Sequence, residues 1–406
     1  MTDLIPMTLG ELVTLQRGHD LPEGKRTAGP VPVMGSFGIT GSHDIAKAKG
    51  PGVTVGRSGA SIGVVSYTED DYWPLNTCMY VTDFKGNDPR FVYYFLQTVN
   101  LAAHNSGSAQ PSLNRNYIYP IDIAVPRPAD QREIAALLGA LDDKIELNRR
   151  MSATLEEMAR ALYRSWFVDF DPVHARALGQ PPAHMDATTA ALFPDSVGPD
   201  RLPTGWKAGT LGDLIEFNPK ERLPKGKSAP YLEMKALPTS GMSADIPYFR
   251  EFTSGTKFRE KDTLLARITP CLENGKTMVV DDLLGAEVGW GSTEFIVMRA
   301  KSGVSAALPY CVARDPDFRA EAIQTMTGSS GRQRADAKRI SELGIAIAPP
   351  EVHTAYSDLV SPMLDRVIAA GQEARKLAEL RDVMLPRLLS GELRIREAEE
   401  HVEEFV

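Results

Sequence analysis

The chain is poor in cysteine: Cys78, Cys271 and Cys311 are far apart and odd in number among 406 residues. That argues against a disulfide framework and for a reducing compartment, so a cytoplasmic protein is expected. Its seven histidines show no ligand spacing, which speaks against a metal site. No apolar run approaches the roughly 18 residues of a membrane span. The N-terminus, MTDLIPMTLGEL, lacks the basic-then-apolar order of a signal peptide. Positive charge is not in excess either. The net charge is −8, which counts against a general polyanion binder and leaves nucleic-acid binding to local loops. Hydrophobic content of 43% and charged content of 24% are ordinary for a globular protein, long enough for two or three domains.

What is present is a long amphipathic pattern. Residues 129–167, ADQREIAALLGALDDKIELNRRMSATLEEMARALYRSWF, read as one helix. Asp130 precedes Glu133 by three, like a capping box. Apolar residues return at Ile134, Leu137, Leu141, Met151, Leu155, Met158 and Leu162 on a seven-residue cycle. Gly139 is the one interruption, costing about 1 kcal/mol against Ala. At 1.5 Å per residue the helix would run roughly 55–60 Å. Adding 222 to each position gives a second copy: Leu155 maps to Leu377, Met158 to Leu380 and Leu162 to Met384. Pro362 predicts a break or kink near the start of that copy. Pro386 and Ser390-Gly391 should end it. Matching seams predict antiparallel packing. Asn148 falls on the seam where its copy has Ala370, and either fixes register there or points to solvent.

The segments before each rod also repeat. Thr8-Leu9-Gly10-Glu11-Leu12-Val13 returns as Thr210-Leu211-Gly212-Asp213-Leu214-Ile215, 202 residues on. Strand signals are expected at 53–55, 62–65, 78–81 and 121–126, with a short helix over 89–96. Leu264-Leu265-Ala266-Arg267 takes the place of Thr54-Val55-Gly56-Arg57, residues 293–297 that of 77–81, 328–334 that of 107–115, and 343–347 that of 121–125. The predicted fold class is α+β: two tandem mixed domains separated by two long helices packed as an antiparallel coiled coil, with pseudo-twofold internal repetition. Boundaries are expected at 1–128 for the first domain, 129–170 for the central helix, 171–204 for a linker with room for one short helix, 205–349 for the second domain, 350–395 for the C-terminal helix and 396–406 for an acidic tail.

Order, duplication and motifs together resemble the specificity subunit of type I restriction–modification systems, over essentially the whole chain. The sharpest pieces are Gln131-Arg132-Glu133-Ile134, the run 141–148, Arg164-Ser165-Trp166-Phe167-Val168-Asp169-Phe170, the run 262–276 and Leu385-Pro386-Arg387-Leu388-Leu389-Ser390-Gly391-Glu392-Leu393. The resemblance implies two target recognition domains, each reading one half of a split site in double-stranded DNA. It implies helices that set the spacer and help dock two methyltransferase subunits. Those subunits would carry S-adenosylmethionine and methylate adenine, and two restriction/translocase subunits would complete the nuclease. This chain would hold no cofactor and no catalytic site.

Independently of the family, a twofold-like reader of duplex DNA should place its two readers about a helical turn apart. Arg57, with Ser58 beside it, and Arg267 are the leading DNA candidates, since Arg pairs with guanine or phosphate. Their alternative role is to hold a strand–turn present in both copies. The polar loops contribute Gln110, Asn114, Arg115, Arg332, Gln333 and Arg334, and a turn contributes Asn274 and Lys276. The alternative there is an ordinary solvated loop. Tyr93, Tyr94 and Phe95 read as core.

A stand-alone nuclease or methyltransferase is the competing class, and a coiled-coil scaffold that binds only protein is a third. Pro199-Asp200 with Glu233-Met234-Lys235 fits a metal-nuclease pattern only loosely. Gly289-Trp290-Gly291 is too short for a cofactor loop. Asn218-Pro219-Lys220 does not match the catalytic tetrapeptide of adenine methyltransferases.

Overall fold

The computed structural model describes residues 4–105, 112–242, 247–329 and 331–405. The chain gathers into two compact units, residues 1–145 with 376–406, and residues 146–375.

The first unit opens with β1 (Ile5–Thr8) and a one-turn helix α1 (Leu9–Leu12). Glu11 fixes the start of that turn: its carboxylate accepts from the Thr8 N–H at 2.7 Å and the Thr8 hydroxyl at 2.9 Å, satisfying donors that a helix start leaves open. There follow β2 (Thr14–Arg17), β3 (Val31–Gly35), β4 (Gly38–His43), β5 (Gly52–Gly56), β6 (Val65–Thr68), β7 (Trp73–Pro74), β8 (Cys78–Asp83), α2 (Pro89–Thr98), α3 (Arg115–Ile118) and β9 (Asp122–Val125). The sheets run β2-β8-β5-β6 and β4-β3-β7, and β1 pairs with β9.

After α4 (Pro128–Phe167), α5 (Asp171–Ala177) and α6 (Ala187–Ala190), the second unit repeats the plan. It contains β10 (Lys207–Thr210), α7 (Leu211–Leu214), β11 (Ile215–Phe217), β12 (Ser228–Leu232), β13 (Tyr248–Glu251), β14 (Thr256–Phe258), β15 (Thr263–Ala266), β16 (Thr277–Val279), β17 (Gly289–Gly291), β18 (Phe295–Ala300), α8 (Leu308–Arg314), α9 (Pro316–Gln324), α10 (Ala337–Ser341) and β19 (Gly344–Ile347). Asp213 caps α7 as Glu11 caps α1, at 2.7 and 3.1 Å from Thr210. The sheet β11-β18-β15-β16 answers β2-β8-β5-β6, and β13-β12-β17-β14 answers β4-β3-β7 with one strand more. The chain closes with α11 (Pro350–Leu389) and α12 (Ile395–Phe405).

Each core is completed by pieces of both long helices. In the first unit Ile134 and Leu138 of α4 and Met384 and Leu388 of α11 share a core with Leu9, Leu15, Val55 and Phe91. In the second, Tyr163, Trp166 and Phe167 meet Val352, Tyr356 and Val360 over Leu265, Ile296 and Tyr310. The contacts 142 with 381, 148 with 373 and 159 with 356 run in opposite directions, so the predicted antiparallel pairing holds within each unit. Asn148 is 1% exposed and donates to Glu373 at 2.9 Å. It is a seam residue, not a solvent one. Gly139 has a packing reason: a Cβ there would lie 2.7 Å from the Arg90 guanidinium, which reaches across α4 to Asp143 at 2.6 Å. Tyr94 and Phe95 are core, as expected.

Several expectations need correction. Helix α11 runs unbroken through Pro362 and Pro386 and ends at Leu389. Each proline removes one N–H, and the buried seam of Tyr356, Leu364, Met384 and Leu388 sustains the helix across the gap. The segment 62–65 is largely a turn, with Gly63 at φ 82°, and the strand starts at Val65. Segment 171–204 carries two short helices. The acidic tail forms α12, whose Ile395, Ala398 and Val402 join the first core while Glu399, Glu400 and Glu403 stay exposed.

The repeat also exposes an unpaired group. Gln131, 1% exposed, donates to Asn87 and to the Pro126 carbonyl, each at 2.9 Å, and accepts from the Asp88 N–H. Its copy 222 residues on is His353, 5% exposed, stacked on Phe167, with neither ring nitrogen hydrogen-bonded. Burial pushes this imidazole below its ordinary value of 6.5. The unfolded chain therefore takes up the proton first, and stability falls as pH drops through 6.5. Replacing His353 with Leu should raise stability by about 1 kcal/mol at neutral pH and flatten the decline below pH 6.5. Thermal melts at pH 5.5 and 7.5 check this; parallel behaviour of the two proteins would refute it.

Candidate nucleic-acid interface

The two candidate arginines occupy the same place in their units. The Arg57 N–H, just past β5, donates to the Thr77 carbonyl at 3.0 Å, and the Arg57 carbonyl accepts from Leu113 at 2.8 Å. The Arg267 N–H, just past β15, donates to the Glu294 carbonyl at 2.9 Å, and its carbonyl accepts from Ala335 at 2.8 Å. Three chain segments thus meet at each arginine: a strand end, the start of β8 or β18, and the segment before α3 or α10. The backbone role is structural in both copies, but the guanidinium groups are left short of partners. Arg57 reaches the Asn76 carbonyl only at 3.5 Å, too long for strong pairing. The Arg267 Nε is buried with no hydrogen bond.

These bonds fix the register of the repeat. Glu294 answers Thr77, one residue on from the sequence pairing, and Ala335 answers Leu113. Asn114 therefore matches Asp336, and Ser112 matches Arg334. Both Asn114 and Asp336 are helix caps, accepting from Asn116 and Arg339 at 3.0 Å each.

The other candidates divide. Ser58 bridges to Ser112 in a short β contact. Arg115 begins α3 and donates to the Leu15 carbonyl at 2.8 Å. Lys276 donates to the Met234 carbonyl at 3.1 Å. Arg334 is gripped by Glu294 at 2.7 Å. Gln333 is used through its backbone, its carbonyl accepting from the Thr269 N–H at 3.0 Å. Asn274 is exposed in its turn, and Arg332 is exposed with no ion pair to any described residue. Gln110 lies outside the described residues.

Around Arg267 the surface opens into a cleft of about 460 Å³ shared with Asn218, Lys220, Thr256, Lys257 and Thr293. Glu221 is its acid, and that carboxylate is already held by Arg259 and Arg299, each at 2.7 Å. The cleft is left with cations to offer.

Two further cations were not found from sequence. In the first unit Lys47 is exposed and its ammonium lies 5.3 Å from the centre of the Trp73 ring. In the second, exposed Arg250 lies 4.8 Å over Tyr231 and 5.7 Å over Trp290. Trp73 and Trp290 are equivalent, each in the strand parallel to β3 or β12. Both units thus present a cation held over the same indole. A readable signal lay beside them: Leu21-Pro22-Glu23-Gly24-Lys25 returns as Leu223-Pro224-Lys225-Gly226-Lys227 at the offset of 202.

The two units are built on one plan and carry a cation over the equivalent indole, and comparison with known proteins shows what the chain resembles. Residues 3–157 match the type I restriction modification DNA specificity domain. The chain is 23% identical over 328 residues to the type I restriction enzyme MjaIX specificity subunit of Methanocaldococcus jannaschii, spanning 76% of this chain and 69% of that one. It is 34% identical over 143 residues to the EcoEI specificity subunit of Escherichia coli, spanning 34% of this chain and 24% of that one. Its fold is that of the type I restriction–modification S subunit of M. genitalium, with a TM-score of 0.60, 16% identity and 96% of each chain covered. Residues 3–157 thus match the DNA specificity domain, and the chain as a whole is similar to specificity subunits of type I restriction–modification systems. Among the described residues, no helix is long and apolar enough to cross a membrane.

The division of candidates can be tested without DNA. Asn114→Ala should cost about 1 kcal/mol through the lost cap, seen as a lower melting temperature. Arg332→Ala should leave the melt unchanged, and equal losses from both would contradict the assignment.

Proposed function

We propose that each unit reads one half of a split, asymmetric site in duplex DNA. Helices α4 and α11 set the spacer between the halves and dock two methyltransferase subunits. Those partners hold S-adenosylmethionine and methylate adenine, and two translocating nuclease subunits complete a restriction enzyme. This chain contributes recognition and no chemistry. The observation that carries the reading is the repeated node: a strand-end arginine, fixed through its backbone and short of partners at its guanidinium, once in each unit.

The division of labour follows from geometry and charge. An under-satisfied guanidinium gains most from a bidentate acceptor, guanine or phosphate. Lys47 and Arg250, poised over indoles, are point contacts suited to the sugar–phosphate backbone, which orients a protein without reading sequence. Because the residues around the two nodes differ, the two half-sites differ.

The decisive experiment expresses the chain with its neighbouring methyltransferase subunit and maps methylated adenines by single-molecule sequencing. Methylation at a split asymmetric motif, lost when the chain is omitted, is expected. Methylation that persists without the chain, or that the chain performs alone, would refute the reading. In the same complex, Arg267→Ala should degrade one half of the motif and leave the other intact. Lys47→Ala and Arg250→Ala should keep the motif and each lower the slope of log affinity against log salt by about one. A changed motif in either lysine or arginine variant would show that these groups read bases.

A further inference from the structure

We propose that Phe37, at the tip of the β3–β4 hairpin, reads the methyl group of a thymine in the half-site of the first unit. The inference rests on the DNA-reading role given above and adds a specificity residue to it.

Strands β3 and β4 pair antiparallel, closing with Gly35 opposite Gly38, so Ser36 and Phe37 form the turn. Phe37 is 66% exposed and Ile39, two residues on along the edge strand, is 65% exposed. Large apolar side chains standing together on an edge hairpin are a liability unless something covers them. Their place in the fold says what. A Cβ on Gly56 would fall 2.3 Å from the Ser36 carbonyl oxygen. The hairpin tip therefore lies against the last residue of β5, immediately before Arg57. At the other side of the hairpin Arg26 donates to the Thr40 carbonyl at 2.9 Å. The turn thus packs its backbone against the residue before Arg57, and Arg26 holds the strand that leads away from it.

A two-stranded ribbon fits the major groove of DNA, and the thymine C5-methyl is the apolar group displayed there. A phenyl ring beside a groove-reading arginine has that methyl as its natural target. The residue equivalent to Gly56 is Ala266, which carries the Cβ that Gly56 has no room for. The strands equivalent to β3 and β4 are joined through residues 233–247, and the edge strand there carries exposed Tyr248 and Phe249. The two-residue tip itself is thus a feature of the first unit.

The test uses the complex of this chain with its methyltransferase subunits. Once the methylation motif is known, each thymine in a duplex carrying it is replaced in turn by deoxyuridine, which deletes only the methyl. We expect one thymine whose replacement weakens binding about fourfold, the worth of one buried methyl group. Phe37→Ala should weaken binding to the parent duplex and become indifferent to that replacement, and Phe37→Leu should restore part of the sensitivity. Because Phe37 is exposed, neither variant should lower the melting temperature. The proposal is overturned if no thymine methyl matters to the parent protein, if Phe37→Ala responds to every replacement as the parent does, or if the variant loses its methyltransferase partner, which would make the tip a protein-docking face. Failure of the parent complex to methylate a split motif would instead overturn the proposed function.

Discussion

Neither core closes without helix drawn from both α4 and α11. Ile134 and Leu138 need Met384 and Leu388 in one unit, and Trp166 and Phe167 need Tyr356 and Val360 in the other. The seam is apolar and periodic, so alone it would tolerate slippage by a heptad. Asn148 opposes that. Its amide donates to Glu373 while its own carbonyl oxygen is buried without a partner. Under the internal repeat the places of Asn148 and Glu373 are taken by Ala370 and Met151. The polar contact therefore has an apolar pair as its mate, and it distinguishes the two helices of a nearly symmetric pair. The orphaned oxygen is the cost of that distinction, since a shifted register would take the acceptor from the buried Asn148 amide as well.

What the sequence disclosed follows from what repeats in it. The rods were legible because their period is long and their copy is gapless at 222 residues. Arg57 and Arg267 were legible because equivalent strands carry them. The prolines misled, because Pro362 and Pro386 weigh on local backbone while the seam acts on the whole helix. Asn114 serves as a cap and Arg115 as a tether, roles that draw on the same polar side chains as a DNA contact. Lys47 and Arg250 were hidden for another reason. The indoles correspond in the two units, but the cations reach them from different places in the chain, so no spacing repeats.

Comparison of the two copies separates scaffold from reader. Backbone bonds at the node agree to within 0.1 Å, 3.0 against 2.9 Å for the amide and 2.8 Å for both carbonyls. Side chains there do not agree: Thr77 and Ser112 in one unit stand where Glu294 and Arg334 stand in the other. A duplicated fold that holds its main chain and varies these positions can change what each half recognises without disturbing its core.

The Glu294–Arg334 pair competes with a DNA role for Arg334, since its guanidinium is already bidentate to a carboxylate. The magnitude decides otherwise. The Arg334 side chain is 43% exposed, and solvent screens ion pairs so placed, leaving them weak. A guanine edge or a phosphate offers the same two-acceptor geometry, so exchange of one acceptor for the other costs little. Meanwhile the Glu294 carboxylate holds the Arg334 guanidinium in a fixed place, from which an acceptor on DNA would have to displace it. In the first unit, Thr77 and Ser112 leave that place uncharged. One fold would then set a charged pair at this position in one unit and neutral side chains in the other, an asymmetry of the kind that a split, non-palindromic site demands.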